Sequence, residues 1–223
     1  MENTTKRVSV VTKITEANDR VAEENRKRFA DSGVLVVDIM GSPGAGKTAL
    51  LEAATPLLKE RGLKVAVIVG DIETTHDAER VAAKGVHAVQ ITTSAFGGSC
   101  HLEASTVRQA VDQVDLADLD VLFVENVGNL VCPAEFDIGQ RARAVVLSVT
   151  EGEDKPLKYP LAFSKADAVV ISKTDLLPYL RVKMDLLRGN VRNINPQAAY
   201  MEVSSQGGEG MTSFIDWLAS LKK

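Results

Sequence analysis

Short, nearly continuous apolar runs recur along the chain, at 34–40, 64–69, 86–91, 120–125, 144–149, 167–172 and 198–203. Most are rich in Val and Ile and too short for an amphipathic helix, so they predict β-strands. Apolar residues fill successive positions rather than alternate ones. Both faces of the sheet should therefore be covered, which suits a mainly parallel arrangement. Between the runs, apolar residues fall at helical spacing over 47–61, 76–84, 101–114, 180–193 and 211–222. Val8, Val11, Ile14, Val21 and Phe29 predict a further helix near the start, which Gly33 can end. The alternation predicts an α/β fold: a doubly wound, mainly parallel sheet flanked by helices, with ligand loops at the carboxyl ends of the strands. The expected organisation is a helix within 1–32 packed on one domain spanning 33–223, with no internal repeat.

Composition changes this picture mainly by exclusion. A length of 223 residues, 45% hydrophobic and 25% charged, suits one soluble globular domain. The net charge of −4 leaves no basic footprint for nucleic acid. The basic stretch from Arg20 to Arg28 is interrupted by Glu23 and Glu24 and reads as a solvated helix face. No apolar run approaches the ~18 residues of a membrane span. The first residues lack the apolar core of a signal peptide, so a cytoplasmic protein is expected. In that setting two cysteines suit metal binding or thiol chemistry better than a disulfide.

The first candidate chemistry sits directly after the 34–40 strand. Gly41, Ser42, Pro43, Gly44, Ala45, Gly46, Lys47 and Thr48 form a G-x-x-x-x-G-K-T run ahead of a predicted helix that continues through Ala49. This is a P-loop in its proper context: backbone N–H groups curl around an anion at a helix N-terminus. Lys47 can reach β- and γ-phosphates, and the Thr48 hydroxyl can hold Mg²⁺. The chain is expected to bind a nucleoside triphosphate.

Later strand ends add to this site. Asp71 ends the 64–69 strand, expected one strand over from the P-loop, and is either a magnesium ligand or a turn cap. Glu73 and Asp77 follow in a polar stretch with the character of a switch segment. Glu125, then Gly128, have the layout of a Walker-B carboxylate and switch II glycine. The candidate catalytic set is Lys47, Asp71 and Glu125, with Thr48, Asp71 and Glu125 around Mg²⁺.

Ser172, Lys173, Thr174 and Asp175 resemble the N-K-x-D guanine motif. Asp175 would accept two hydrogen bonds that adenine cannot supply, which favours GTP. The Lys173 stem would cover the base. Ser172, shorter than Asn, is expected to lose a bond that braces this loop. Ser204, Ser205 and Gln206 resemble the loop whose backbone touches guanine O6.

Cys100 is adjacent to His101, and Cys132 lies seven residues beyond Glu125. Thiolate and imidazole together suit Ni²⁺ or Zn²⁺. Isolated cysteines also serve as small buried hydrophobes, so both readings stand on the residues alone. Three ligands are one short of a tetrahedron, and a two-fold axis could complete the site.

Taken together, the P-loop, Gly70-Asp71, the Cys100-His101 stretch and the string from Glu125 through Cys132 to Asp137 resemble the HypB family of nickel-incorporation GTPases, SIMIBI-class P-loop proteins. The resemblance covers nearly the whole chain. It implies GTP hydrolysis and homodimerisation coupled to nickel insertion into the [NiFe]-hydrogenase large subunit, alongside other hydrogenase maturation proteins. It also implies a metal site from Cys100, His101 and Cys132 near a GTP-dependent dimer interface. Three departures are visible. The cysteine-rich or His-rich stretch that opens some members does not occur in this sequence. Ser42 stands where several SIMIBI relatives have Lys, and Ser172 where the guanine motif has Asn. The rival readings are a related nickel or cobalamin-enzyme GTPase and an ATP-dependent small-molecule kinase. A catalytically idle, zinc-stabilised P-loop dimer is a third.

Overall fold

A computed structural model describes residues 10–71, 76–96 and 99–222. Val8, Glu73, Gly97 and Gly98 lie outside the described residues. Seven strands form one sheet: β1 (Leu35–Gly41), β2 (Val65–Asp71), β3 (His87–Thr92), β4 (Val121–Glu125), β5 (Ala142–Ser148), β6 (Ala168–Ser172) and β7 (Ala199–Glu202). The order is β3-β2-β4-β1-β5-β6-β7, and every pairing is parallel. Each expected strand is present to within two residues at each end. The order corrects one expectation: β4 lies between β1 and β2, so Asp71 is two strands from the P-loop, not one.

The longer helices are α1 (Val10–Ser32), α2 (Lys47–Glu60), α3 (His76–Ala82), α4 (Ala104–Val111), α8 (Met184–Ile194) and α9 (Met211–Leu221). Short turns α5 (Cys132–Glu135), α6 (Lys155–Lys158) and α7 (Pro160–Ser164) show no periodicity and escaped prediction. Two helices are shorter than expected. The helix expected over 101–114 spans only Ala104–Val111, and the one expected over 180–193 starts at Met184, after a 3₁₀ segment at Thr174–Tyr179.

Alternation along β1 explains the layers. Leu35, Val37 and Ile39 pack with α2 and α9 on one face. Val36 packs with Phe29 of α1 and Val107 of α4 on the other, while Met40 joins Phe163, Leu187 and Val191 there. Buried amides dock α1. Asn25 Nδ2 donates to the Ala104 and Ile138 carbonyls at 2.9 and 3.2 Å, and Asn18 Oδ1 accepts from the Ala104 N–H at 2.8 Å. No helix among the described residues is long and apolar enough to cross a membrane.

Candidate nucleotide cleft and metal cluster

The carboxyl ends of β1, β2, β4 and β6 open onto one cleft of about 460 Å³. Pro43, Gly44, Gly46, Lys47, Thr48, Ala49, Asp71, Glu125, Gly128 and Lys173 line it. Gly41, Ser42 and Ala45 form the loop behind that wall, closed by an Ala45 N–H to Ser42 carbonyl bond of 3.1 Å. Gly46 is left-handed, with φ of 94°, and turns the chain into α2, whose N-terminus has no side-chain cap. That leaves first-turn N–H groups aimed outward, the requirement for holding phosphate. Lys47 is buried, its ammonium 3.4 Å from the Gly41 carbonyl. A comparable cavity of about 470 Å³ lies at the amino end of β1, beside Phe29 and Leu221, and holds none of the motif residues.

Thr48 and Glu125 meet at the floor of the cleft, where the Thr48 hydroxyl donates to Glu125 Oε1 at 2.8 Å. Glu125 is 3% exposed and its Oε2 has no hydrogen-bond partner among the described residues. Burial pushes its pKa up from 4.5 to about 7, only partly offset by Lys47 and the Thr48 hydroxyl. This buried carboxylate, bonded to the Thr48 hydroxyl in a cleft that Asp71 also lines, makes a hard-oxygen donor set. Gly128 lets the segment after β4 press on the P-loop: a Cβ there would sit 3.0 Å from Pro43.

Lys173 adopts φ of 60° and donates to the Gly44 carbonyl at 2.6 Å, crossing the P-loop mouth. Ser172 does not lose its brace, contrary to expectation. Its hydroxyl donates to the Ala45 carbonyl at 2.5 Å, tying β6 to the P-loop. Asp175 lies beyond the cleft wall, accepting from the Ser204 hydroxyl at 2.8 Å. Ser205 and Gln206 follow in the same turn, half-buried and exposed. The two guanine-type loops are therefore in direct contact.

The sulfur and imidazole ligands also converge. Ligand atoms of Cys100, His101 and Cys132 lie within 4.8 Å of one another. The thiols are 2.9 Å apart, Sγ to Sγ, and Cys100 Sγ is 3.9 Å from His101 Nδ1. The shared hydrogen bond with Cys100 raises the Cys132 pKa, and burial lowers that of His101. Phe136 holds the imidazole with ring centroids 3.9 Å apart. The post-β4 segment joins cluster to P-loop through a backbone bridge between Asn129 and Gly41.

Comparison with known proteins decides the family. The profile of the CobW/HypB/UreG nucleotide-binding domain matches residues 35–202. The chain is 45% identical over 205 residues to the hydrogenase maturation factor HypB of Escherichia coli K12, covering 92% of this chain and 69% of that one. It is 40% identical to the hydrogenase/urease maturation factor HypB of Helicobacter pylori, covering 98% and 89%. A crystal structure of Helicobacter pylori HypB in complex with nickel superposes with a TM-score of 0.86 at 39% identity, covering 92% and 95%. The chain belongs to the HypB family.

Several residues of this HypB-family chain escaped sequence reading. Arg80 of α3 lines the cleft, held by Glu52 at 2.5 Å and Asp77 at 2.9 Å. Its i,i+3 spacing from Asp77, after the Asp71 strand end, was the available signal. Asn126, Asn129 and Phe136 sit inside the string that carried the HypB resemblance, yet nothing in their spacing reveals what they touch. Asp38 and Arg143 stand alone in apolar strands, which was the one sign of a buried charge pair.

Proposed function

We propose that this chain is a GTP-hydrolysing metallochaperone that couples GTP binding, hydrolysis and homodimerisation to nickel delivery for hydrogenase maturation in the cytoplasm. The observation that carries the reading is continuity: the segment that leaves Glu125 at the cleft reaches Cys132 in the thiol–imidazole cluster. The names of the Escherichia coli and Helicobacter pylori relatives, and the nickel in the latter's structure, support the same cargo.

In this reading the N–H groups of Gly44 to Ala49 hold phosphate oxygens, and Lys47 balances charge between the β- and γ-phosphates. Thr48 and Glu125, with Asp71 nearby, would hold Mg²⁺, which neutralises phosphate charge when bound. Asp175, braced by Ser204, reads the guanine edge, and Lys173 covers the base. Ser204, Ser205 and Gln206 supply backbone to its other edge. Cys100, His101 and Cys132 take nickel as cargo, with Zn²⁺ as the competing ion for the same soft donors. GTP orders the post-β4 segment, and hydrolysis releases it, so the cluster's geometry follows the nucleotide. The hydrogenase large subunit and other maturation proteins are the expected recipients. Delivery to urease is the second reading, favoured by the Helicobacter pylori relative's name.

The deciding experiment titrates Ni²⁺ into the protein with GDP or a non-hydrolysable GTP analogue, following oligomeric state by light scattering. The expected result is different nickel affinity and different dimer fraction in the two nucleotide states, because linkage makes the coupling reciprocal. Equal affinity and equal dimer fraction in both states would refute the switch.

A further inference from the structure

Between the cleft and the cluster lies a buried polar network that begins at Asn126, in the cleft wall, and runs back into the sheet. Asp38 is fully buried on the β1 face away from α2 and pairs with Arg143, its cross-strand neighbour on β5, at 2.9 Å. Its other oxygen accepts from Asn126 Nδ2 at 3.1 Å. Asn126 Oδ1 accepts two backbone N–H groups, those of Leu102 and Val127, both at 3.1 Å. Arg143 donates onward to the Phe136 carbonyl at 2.8 Å.

Stability alone does not account for such a pair, because apolar replacements of buried ion pairs are often neutral or stabilising. What the network does is clasp segments from both sites. Asn126 directly follows Glu125, and Leu102 directly follows Cys100 and His101. Phe136 follows the turn that begins at Cys132, and its ring holds His101. Leu102 also packs onto Gly70, beside Asp71, so tightly that a Cβ at position 70 would lie 2.8 Å from its Cδ1.

We propose that Asn126 is the positioning residue that transmits nucleotide state to the metal cluster, through its paired bonds to Leu102 and Asp38. This deepens, and rests on, the GTP-switched metallochaperone reading. When Glu125 shifts to meet a filled cleft, Asn126 shifts with it. The Leu102 N–H is buried and has its bond to Asn126, so breaking that bond is costly and Leu102 follows. Cys100 and His101 are carried along. The Asp38–Arg143 pair fixes the other end of the amide and moves the Phe136 side in concert.

The test measures nickel affinity, by the near-ultraviolet thiolate-to-nickel absorption, with GDP and with a non-hydrolysable GTP analogue. The readout is the ratio of the two affinities, which a simple fold brace would not change. Wild type is expected to show a ratio within the usual coupling range of about 5–150-fold. Asn126→Ala should bring it to within about twofold of one. Arg143→Lys keeps a cation for Asp38 but cannot also reach the Phe136 carbonyl; it should reduce the ratio partially and decides the matter if Asn126→Ala fails to fold. A wild-type ratio preserved in the folded variants would overturn this assignment alone. A wild-type ratio of one would overturn the switch reading and this assignment with it.

Discussion

Glu125→Gln separates the cost of the buried carboxylate from its use. In the nucleotide-free protein the carboxyl pKa is raised to about 7 from 4.5, with burial the largest cause. A raised acid pKa means that the folded state binds the proton more tightly than the unfolded chain. Stability is therefore highest below the unfolded value and falls as pH rises through 4.5 towards 7. At about 1.4 kcal/mol per pH unit, the full loss is roughly 3 kcal/mol, of which about 2–3 kcal/mol falls between pH 5 and pH 8. Gln keeps an oxygen for the Thr48 hydroxyl but carries no charge. Its amide places unpaired donors where Oε2 now sits, which costs about 1–3 kcal/mol at every pH. The diagnostic is therefore the slope, not the level. Urea unfolding of wild type and variant, in chelator without nucleotide, should show the variant gaining about 2–3 kcal/mol relative to wild type from pH 5 to pH 8. The same carboxylate should make Mg²⁺–GTP binding release protons at pH 7 in wild type, read by calorimetry in buffers of different ionisation enthalpy. A pH-independent stability difference would show that the carboxylate is not held neutral by burial.

Other substitutions address the remaining roles. Lys47→Ala should lower phosphate release from GTP by about 10²-fold or more, as loss of one transition-state charge partner does; near-normal turnover would exclude Lys47 from the phosphate site. Asp175→Asn should cut the preference for GTP over ATP at least tenfold in competition binding, since its acceptor pair is lost. If wild type itself shows no such preference, the guanine assignment fails. Cys132→Ala should weaken nickel binding by more than about tenfold, given that loss of mere supporting groups costs 10–100-fold. Its GDP affinity, read by fluorescence titration, should stay within threefold; nickel affinity unchanged by the substitution would remove Cys132 from the ligand set.

How much of this was legible in the sequence depended on how local the determining physics was. The five inner strands announce themselves because burial on both faces demands consecutive apolar residues, and that requirement is written in the chain itself; the edge strands β3 and β7 are only partly buried and carry mixed sequences. The P-loop and its helix are equally local: Gly46 at φ of 94° and the uncapped first turn of α2 follow from one octapeptide. Strand order is different. That β4 separates β1 from β2 depends on which edges pair, and nothing in either strand's own pattern encodes it. Ser172 was misjudged for a related reason. Comparison with Asn gave its length, but not that the Ala45 carbonyl lies within reach of so short a side chain.

The cluster shows the same division more sharply. Adjacency gave Cys100 with His101, and the continuous string gave Cys132 its place after Glu125, but the 2.9 Å approach of the thiols is tertiary. So is the network beneath them. Asp38 reads as a lone polar residue in an apolar strand, and its meaning appears only once Arg143 is beside it and Asn126 above it. Those three residues come from separate strands or strand ends, yet they join the segments that carry Glu125, Cys100 and His101. A P-loop fold needs no ion pair there to hold nucleotide, and a thiol–imidazole cluster needs none to hold an ion. A device that makes one site answer to the other does need a stiff connection through the sheet. Polar bonds that cannot be left unmade supply that stiffness where apolar packing would let the segments slide independently.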